Sequence, residues 1–200
     1  MVQCVLTGGT VEPGRSSTKL TYADYLLFPD DDLRHEIIEG EHYVTPSPVT
    51  QHQRILGNLY YLFRSHLDAH PEGEAFMSPF DVLLSDINVF VPDLIYVSAE
   101  RSRYITSKNL QGAPDLVVEI LSPSTRRRDQ SLKRDVYERT GVEEYWLVDP
   151  DRAEIEVFRR EGAGFQPSRR CRRSDSLITL LLPGLVLPLE GVFRAPNPEP

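Results

Sequence analysis

Asp115-Leu116-Val117-Val118-Glu119-Ile120-Leu121 is a continuous aliphatic run with one carboxylate inside it. A run of this length and composition reads as a strand buried on both faces. A carboxylate in such a place is costly unless it is paired, hydrogen-bonded or bound to a metal. Glu119 therefore needs a partner. Of 22 basic residues 19 are arginine, and the lysines are Lys19, Lys108 and Lys133. Lys133 follows Glu119 closely, on a helix predicted to run from about Asp129 to Arg139 and to stop at Gly141. Upstream, Pro92-Asp93 opens a second apolar run, Asp93-Leu94-Ile95-Tyr96-Val97, separated from Glu119 by room for one strand and one connection.

Around this centre the chain divides readily. Residues 50–69 carry Ile55, Leu56, Leu59, Tyr60, Leu62, Phe63 and Leu67 at helical spacing, and His70-Pro71-Glu72-Gly73 ends the pattern. Before it, Arg34 to Thr45 reads as a hairpin turning at Gly40, and Thr21 can cap a short helix over Tyr22–Phe28. Glu74–Met77 and Phe80–Leu84 read as one strand or as two halves of a bent one, since Pro79 opposes an unbroken central strand. Asp86-Ile87-Asn88 is a turn, Phe90–Val97 a strand, and residues 98–113 irregular. Glu144–Val148 is a strand, Asp149-Pro150-Asp151-Arg152 a turn, and Glu154–Arg160 a hairpin return. Two apolar pieces, Leu177–Leu182 and Leu185–Leu189, flank Pro183-Gly184. The core order is helix, strand, strand, strand, helix, strand: an α/β chain with a mixed sheet. It carries an N-terminal hairpin, a C-terminal β extension and a parallel crossover from the Glu119 strand to the Glu144 strand.

Two hundred residues suit one domain over 19–192, with a loose N-terminus at 1–18 and a tail at 193–200. A hydrophobic fraction of 40% and a charged fraction of 26% are those of a soluble protein. No apolar run is long enough to span a bilayer, and no secretory signal opens the chain. Cys4 and Cys171, both read as peripheral, make neither a disulfide framework nor a zinc pattern, so a cytoplasmic protein is the expectation. A net charge of −8 opposes non-specific binding to nucleic acid but leaves room for local basic patches. Two exist: Arg126-Arg127-Arg128, and Arg169, Arg170, Arg172, Arg173, the latter read as a solvated loop.

The chain resembles the PD-(D/E)xK nuclease superfamily, and within it the Uma-type branch of restriction endonuclease-like proteins, a domain of unknown function. The resemblance covers about residues 20–190. It is carried by His35-Glu36-Ile37-Ile38-Glu39-Gly40-Glu41, His52, Val91-Pro92-Asp93, Pro114–Thr125, Arg128-Asp129 through Lys133 to Tyr137, and Gly141–Pro150. The superfamily pattern places a lysine two residues after the glutamate, where this chain has Leu121. In the closer branch the lysine moves to the following helix, which Lys133 fits.

The resemblance implies a metal-dependent endonuclease. Asp93, Glu119 and the Ile120 backbone carbonyl would hold Mg²⁺ or Mn²⁺, for which hard oxygen ligands are suited. Lys133 would orient or deprotonate the attacking water or neutralise developing charge. Glu36 would add a carboxylate, and His52, Arg126 and Arg128 would hold water or phosphate. The partner is nucleic acid, DNA ahead of RNA, with a homodimer suited to cutting both strands of a duplex.

Each residue also has an ordinary reading. Asp93 can bond its own turn, Glu119 can pair with an arginine, and Lys133 can pair with Asp129 on a helix surface. Glu36 can be a hairpin carboxylate and His52 part of a polar first helical turn; Tyr137 and Trp146 read as packing. Two competing functions follow: a nuclease-like fold used as a non-catalytic binding or assembly module, and a hydrolase of a small phosphate.

Overall fold

Arg34–Ile38 (β1) and Glu41–Thr45 (β2) pair antiparallel around the two-residue turn Glu39-Gly40, both at positive φ (55° and 80°). This is the turn whose twist suits a tight hairpin. Gly40 is further required because a Cβ there would fall 2.5 Å from Lys19 Cβ. The hairpin is preceded by the one-turn helix α1 (Tyr22–Tyr25), shorter than expected, whose Asp24 accepts from the Thr21 N–H and hydroxyl. These coordinates are a computed structural model, and they describe residues 18–31 and 33–194. The expected loose N-terminus, apart from Thr18, and residues 195–200 of the expected tail lie outside the described residues.

The helix α2 spans Thr50–Ala69 and is followed by β3 (Gly73–Met77), β4 (Val82–Ser85), β5 (Asn88–Phe90) and β6 (Leu94–Ser98). The expected bent strand across Pro79 is two strands in two sheets, and the expected single strand Phe90–Val97 is also two. The chain leaves one sheet at Met77, makes the β4–β5 hairpin in the other, and returns through Val91-Pro92-Asp93. Apolar continuity across Phe90–Val97 hid this break, because both halves are buried. The segment expected to be irregular holds a 3₁₀ helix, Ala99–Tyr104, and a two-residue strand, β7 (Leu110–Gln111).

The Glu119 strand is β8 (Leu116–Ile120), buried at every position. A continuous helical segment follows: α3 (Arg126–Arg128), a π-helical turn Asp129–Lys133, and α4 (Arg134–Thr140), capped by Gly141 at φ 97°. It leads into β9 (Glu144–Asp149), parallel to β8, as the crossover reading requires. Beyond lie β10 (Glu154–Glu161), β11 (Gly164–Arg172), β12 (Ser176–Ile178), β13 (Val186–Pro188) and the single turn α5 (Leu189–Val192). The Arg169–Arg172 part of the second basic cluster is therefore strand, not loop. The alternation that puts Arg170 and Arg172 outward puts Cys171 inward, at 1% exposure rather than at the periphery.

One sheet has six strands in the order β11-β10-β9-β8-β6-β3, and the other has five in the order β2-β1-β5-β4-β7. The two faces of β8 feed two cores. Leu116, Val118 and Ile120 pack with Ile55, Leu56, Leu59 and Phe63 of α2, and Trp146 joins them at 0% exposure. Val117 and Leu121 pack on the opposite face, with Val136 and Tyr137 of α4 and with Ile38, Val82 and Phe90 of the five-stranded sheet. Glu119 shares that second face, which is how a helix crossing over it delivers Lys133.

Glu144 ties the C-terminal extension to the sheet. It is 1% exposed and accepts from Trp146 Nε1 at 3.0 Å, Thr179 Oγ1 at 2.9 Å and Arg159 Nε at 2.9 Å. Truncation would leave the Trp146 and Thr179 donors buried without an acceptor, whereas Arg159 can rehydrate. Glu144→Ala is expected to lose about 2 kcal/mol in urea unfolding, the cost of stranding buried donors.

Candidate functional site

Four carboxylates from four segments converge where the two sheets meet. Glu36 comes from β1, Asp93 from the crossing between sheets, Glu119 from β8 and Asp129 from the π-helical turn; all are buried. Lys133, 2% exposed, lies among them. Its Nζ is 2.8 Å from Glu36 Oε1, 3.0 Å from Glu119 Oε1 and 3.7 Å from Asp129 Oδ1. The surface pairing with Asp129 is thus the longest of three contacts, and the ammonium is turned inward. Glu36 Oε1 also accepts from the Val91 N–H, which fixes it to the crossing segment.

Asp93 is held separately. Its Oδ1 accepts from Arg34 at 2.8 Å, and its Oδ2 lies 3.1 Å from His52 Nε2 and accepts from the Ile120 N–H at 2.8 Å. The arginine pairing considered for Glu119 thus belongs to Asp93. His52 is 6% exposed and buried toward the site, not part of a solvated helix turn. Arg128 lies 3.5 Å from Glu36 Oε2, bonds Thr45 Oγ1 at 2.7 Å and sits over the Tyr43 ring.

A cavity of about 250 Å³ opens onto this cluster, and Arg34, His52, Asp93, Glu119, Arg128 and Lys133 line it. Ile120 lines it too. Arg126 does not. It bridges Asp149 at 2.6 Å and Asp151 at 3.2 Å on the outer rim, pinning the helix start to the β9–β10 turn.

Burial pushes the Glu119 carboxyl up to about 8; Lys133 opposes this, and Asp129, Asp93 and Glu36 add to it. Burial likewise raises Asp129. Burial alone would raise Asp93, but His52, Arg34 and the Ile120 N–H hold it below the usual carboxylate range. Burial would strip Lys133 of its proton, yet Glu119, Glu36 and Asp129 together push its pKa up, so it stays an ammonium. Tyr137 donates to Glu119 Oε1 at 2.9 Å, and burial raises its phenol far above 10.

Arg34 and Asp129 are site residues that sequence reasoning missed, and Tyr137 was read as packing only. Asp129 was visible as the residue one turn before Lys133. Arg34 carried no signal, since it is one of many arginines.

For a cation the donor set is suggestive. Among the described residues no three His, Cys, Asp or Glu side chains stand ready as a metal cage. The hydrogen bonds to Glu119 both fall on Oε1, which leaves Oε2 without a protein donor among the described residues. Glu36 Oε2 and Asp129 Oδ1 are buried without hydrogen-bond partners. A site with four carboxylates, one ammonium and two guanidinium groups retains acceptor capacity for a hard cation.

A mixed sheet with a parallel crossover and an acidic, lysine-centred cavity at its end defines a restriction endonuclease-like protein. Residues 22–190 match the model of the Uma2 family, described as "Putative restriction endonuclease", and the chain belongs to that family. An uncharacterized protein of Synechocystis, slr1290, is 27% identical over 187 residues, covering 91% of this chain and 95% of that one. The crystal structure of a protein of Anabaena variabilis, titled a putative nuclease belonging to DUF820, shares the fold with a TM-score of 0.73 at 23% identity. The match covers 87% of this chain and 97% of that one. No helix among the described residues is long and apolar enough to cross a membrane.

Removing the ammonium would leave Glu119 and Asp129, already raised, with folded pKa values higher still. A group raised on folding contributes stability below its unfolded pKa and loses it as pH rises. Lys133→Met is therefore expected to cost about 3 kcal/mol at pH 7. In urea unfolding measured beside the parent, that deficit grows as the pH is raised from 7 to 9, where Glu119 ionises in the folded parent but not in the variant.

Proposed function

We propose that this protein is a metal-dependent endonuclease that hydrolyses phosphodiester bonds of nucleic acid at the Lys133 cavity. The observation that carries the reading is the position of Lys133 Nζ, between Glu36 and Glu119 at the wall of a cavity that Asp93 also lines. Three carboxylates around one lysine exceed what packing needs, and together they hold a charged donor at fixed geometry.

Asp93, Glu119 and the Ile120 carbonyl are the residues that would hold Mg²⁺ or Mn²⁺. Such an ion, when bound, polarises a phosphoryl oxygen and lowers the pKa of water. The side chains do the rest. Lys133, kept protonated by its neighbours, donates: it orients the attacking water and offsets negative charge that develops on phosphorus oxygens. It is not the base. His52, which also lines the cavity where water and phosphate would enter, spends Nε2 on Asp93 and positions that carboxylate. Arg128 offers a guanidinium to phosphate at the cavity wall. Glu36 acts through Lys133, whose ammonium it positions. Arg126 is spent on Asp149 and Asp151 and has no such role. DNA is the substrate we favour, with two copies of the chain required for a cut through both strands.

The second reading, a non-catalytic binding or assembly module, draws on the net charge of −8 and on Arg34 already occupying Asp93.

Nicking of supercoiled plasmid, with labelled single-stranded DNA and RNA alongside, tests both. Cleavage is expected with Mg²⁺ or Mn²⁺ and not with chelator. It should fall at least about 10²-fold in Asp93→Asn and in Lys133→Ala, as for loss of a transition-state donor. Folded protein that cuts none of these substrates would favour the module.

A further inference from the structure

Asp93 and Glu119 differ in what surrounds them. Both oxygens of Asp93 are engaged by protein donors, whereas Glu119 is approached on one oxygen only. Of the three donors on Asp93, the Ile120 N–H is backbone of β8 and His52 is fixed on α2. Arg34 is different. Besides Asp93, among the described residues it makes two long hydrogen bonds, to the Val91 carbonyl and to Ser78 Oγ, both 3.3 Å.

Its side chain is 17% exposed and lies in the wall between the site cavity and a neighbouring groove of about 530 Å³. The groove runs past Phe28, His35, Pro46 and Pro79, so the guanidinium has space on both sides. A divalent ion at Asp93 would bring two positive charges against this third one. Like charges so close, in a site shielded from water, do not share a carboxylate without loss of affinity.

We propose that Arg34 is a built-in counter-ion of Asp93. It gives up that carboxylate when a divalent cation binds and turns into the cavity to take a phosphate group of the substrate. The proposal rests on the nuclease reading above and deepens it. Arg34 neutralises Asp93 in the metal-free protein, so the buried carboxylate is never left bare. Once released, the planar guanidinium fork matches two phosphate oxygens, which a point charge would not. One residue thus couples cation binding to substrate binding, and each ligand favours the other.

The experiment is calorimetric titration of the full chain with Mn²⁺. Arg34→Gln should bind Mn²⁺ at least about tenfold more tightly, as expected when a neighbouring positive charge is removed. In steady-state cleavage of a labelled DNA oligonucleotide, the same variant should need less Mn²⁺ for half-maximal rate. Its KM for the oligonucleotide should rise severalfold. Those two shifts are opposite in sense, and general damage to the site would not produce them.

Unchanged or weaker Mn²⁺ binding in Arg34→Gln, with binding lost in Asp93→Asn, would overturn the Arg34 proposal alone. Mn²⁺ binding that survives Asp93→Asn would overturn the metal reading of Asp93 and this proposal with it. A measurement that needs no Arg34 variant is the ¹⁵Nε resonance of Arg34 during titration of the parent protein with Mg²⁺. It should move in the parent and not in Asp93→Asn, and a resonance that stays fixed in the parent would sink the proposal.

Discussion

The structure is organised around the burial of Glu36, Asp93, Glu119 and Asp129 in one place. A buried carboxylate is tolerated only with its charge compensated, and four together raise that demand steeply. Lys133 answers for three of them and Arg34 for the fourth. The surrounding architecture follows from the need to bring these groups together without water. Two sheets meet there, one helix seals each face of β8, and the chain crosses between sheets through Val91-Pro92-Asp93.

The compensation is incomplete in an informative way. Glu119 remains raised to about 8 although it touches an ammonium, because burial raises it and three other carboxylates add to that. Orphaned acceptors on Glu36 and Asp129 point the same way. A fold that needed only stability would replace such a cluster with apolar side chains at little or no loss. Such a cluster in the middle of an otherwise ordinary double core is the feature on which the proposed function rests. The Tyr137 and Tyr145 hydroxyls extend the network outward, to Glu119 and to the Asp129 carbonyl, and tie it into the second core.

Much of this was legible in the amino-acid order. The buried carboxylate of Glu119 announced itself against aliphatic neighbours, and the rarity of lysine made Lys133 stand out. Helix α2 was readable because its apolar residues repeat at helical spacing from Ile55 to Leu67. The hidden strand breaks and the role of Arg34 share one cause: they depend on which strand goes to which sheet. Pro92 sits at one crossing, but both sheets bury the same kind of residue, so the apolar pattern of Phe80–Val97 does not show the change of sheet. Arg34 reaches Asp93 only because of that change, so its role was invisible for the same reason. Cys171 was misjudged because the basic residues around it masked a strand with one face inward.

The site is divided along the chain in a useful way. Arg34, Glu36, His52 and Asp93 precede the exposed bend Thr106-Ser107-Lys108, and Glu119, Asp129 and Lys133 follow it. A single proteolytic nick after Lys108 would leave each fragment with two of the four carboxylates. Neither fragment could assemble the cluster, yet the halves interlock through β6–β8 and β4–β7 pairing. The cluster therefore forms only where both halves are present and paired.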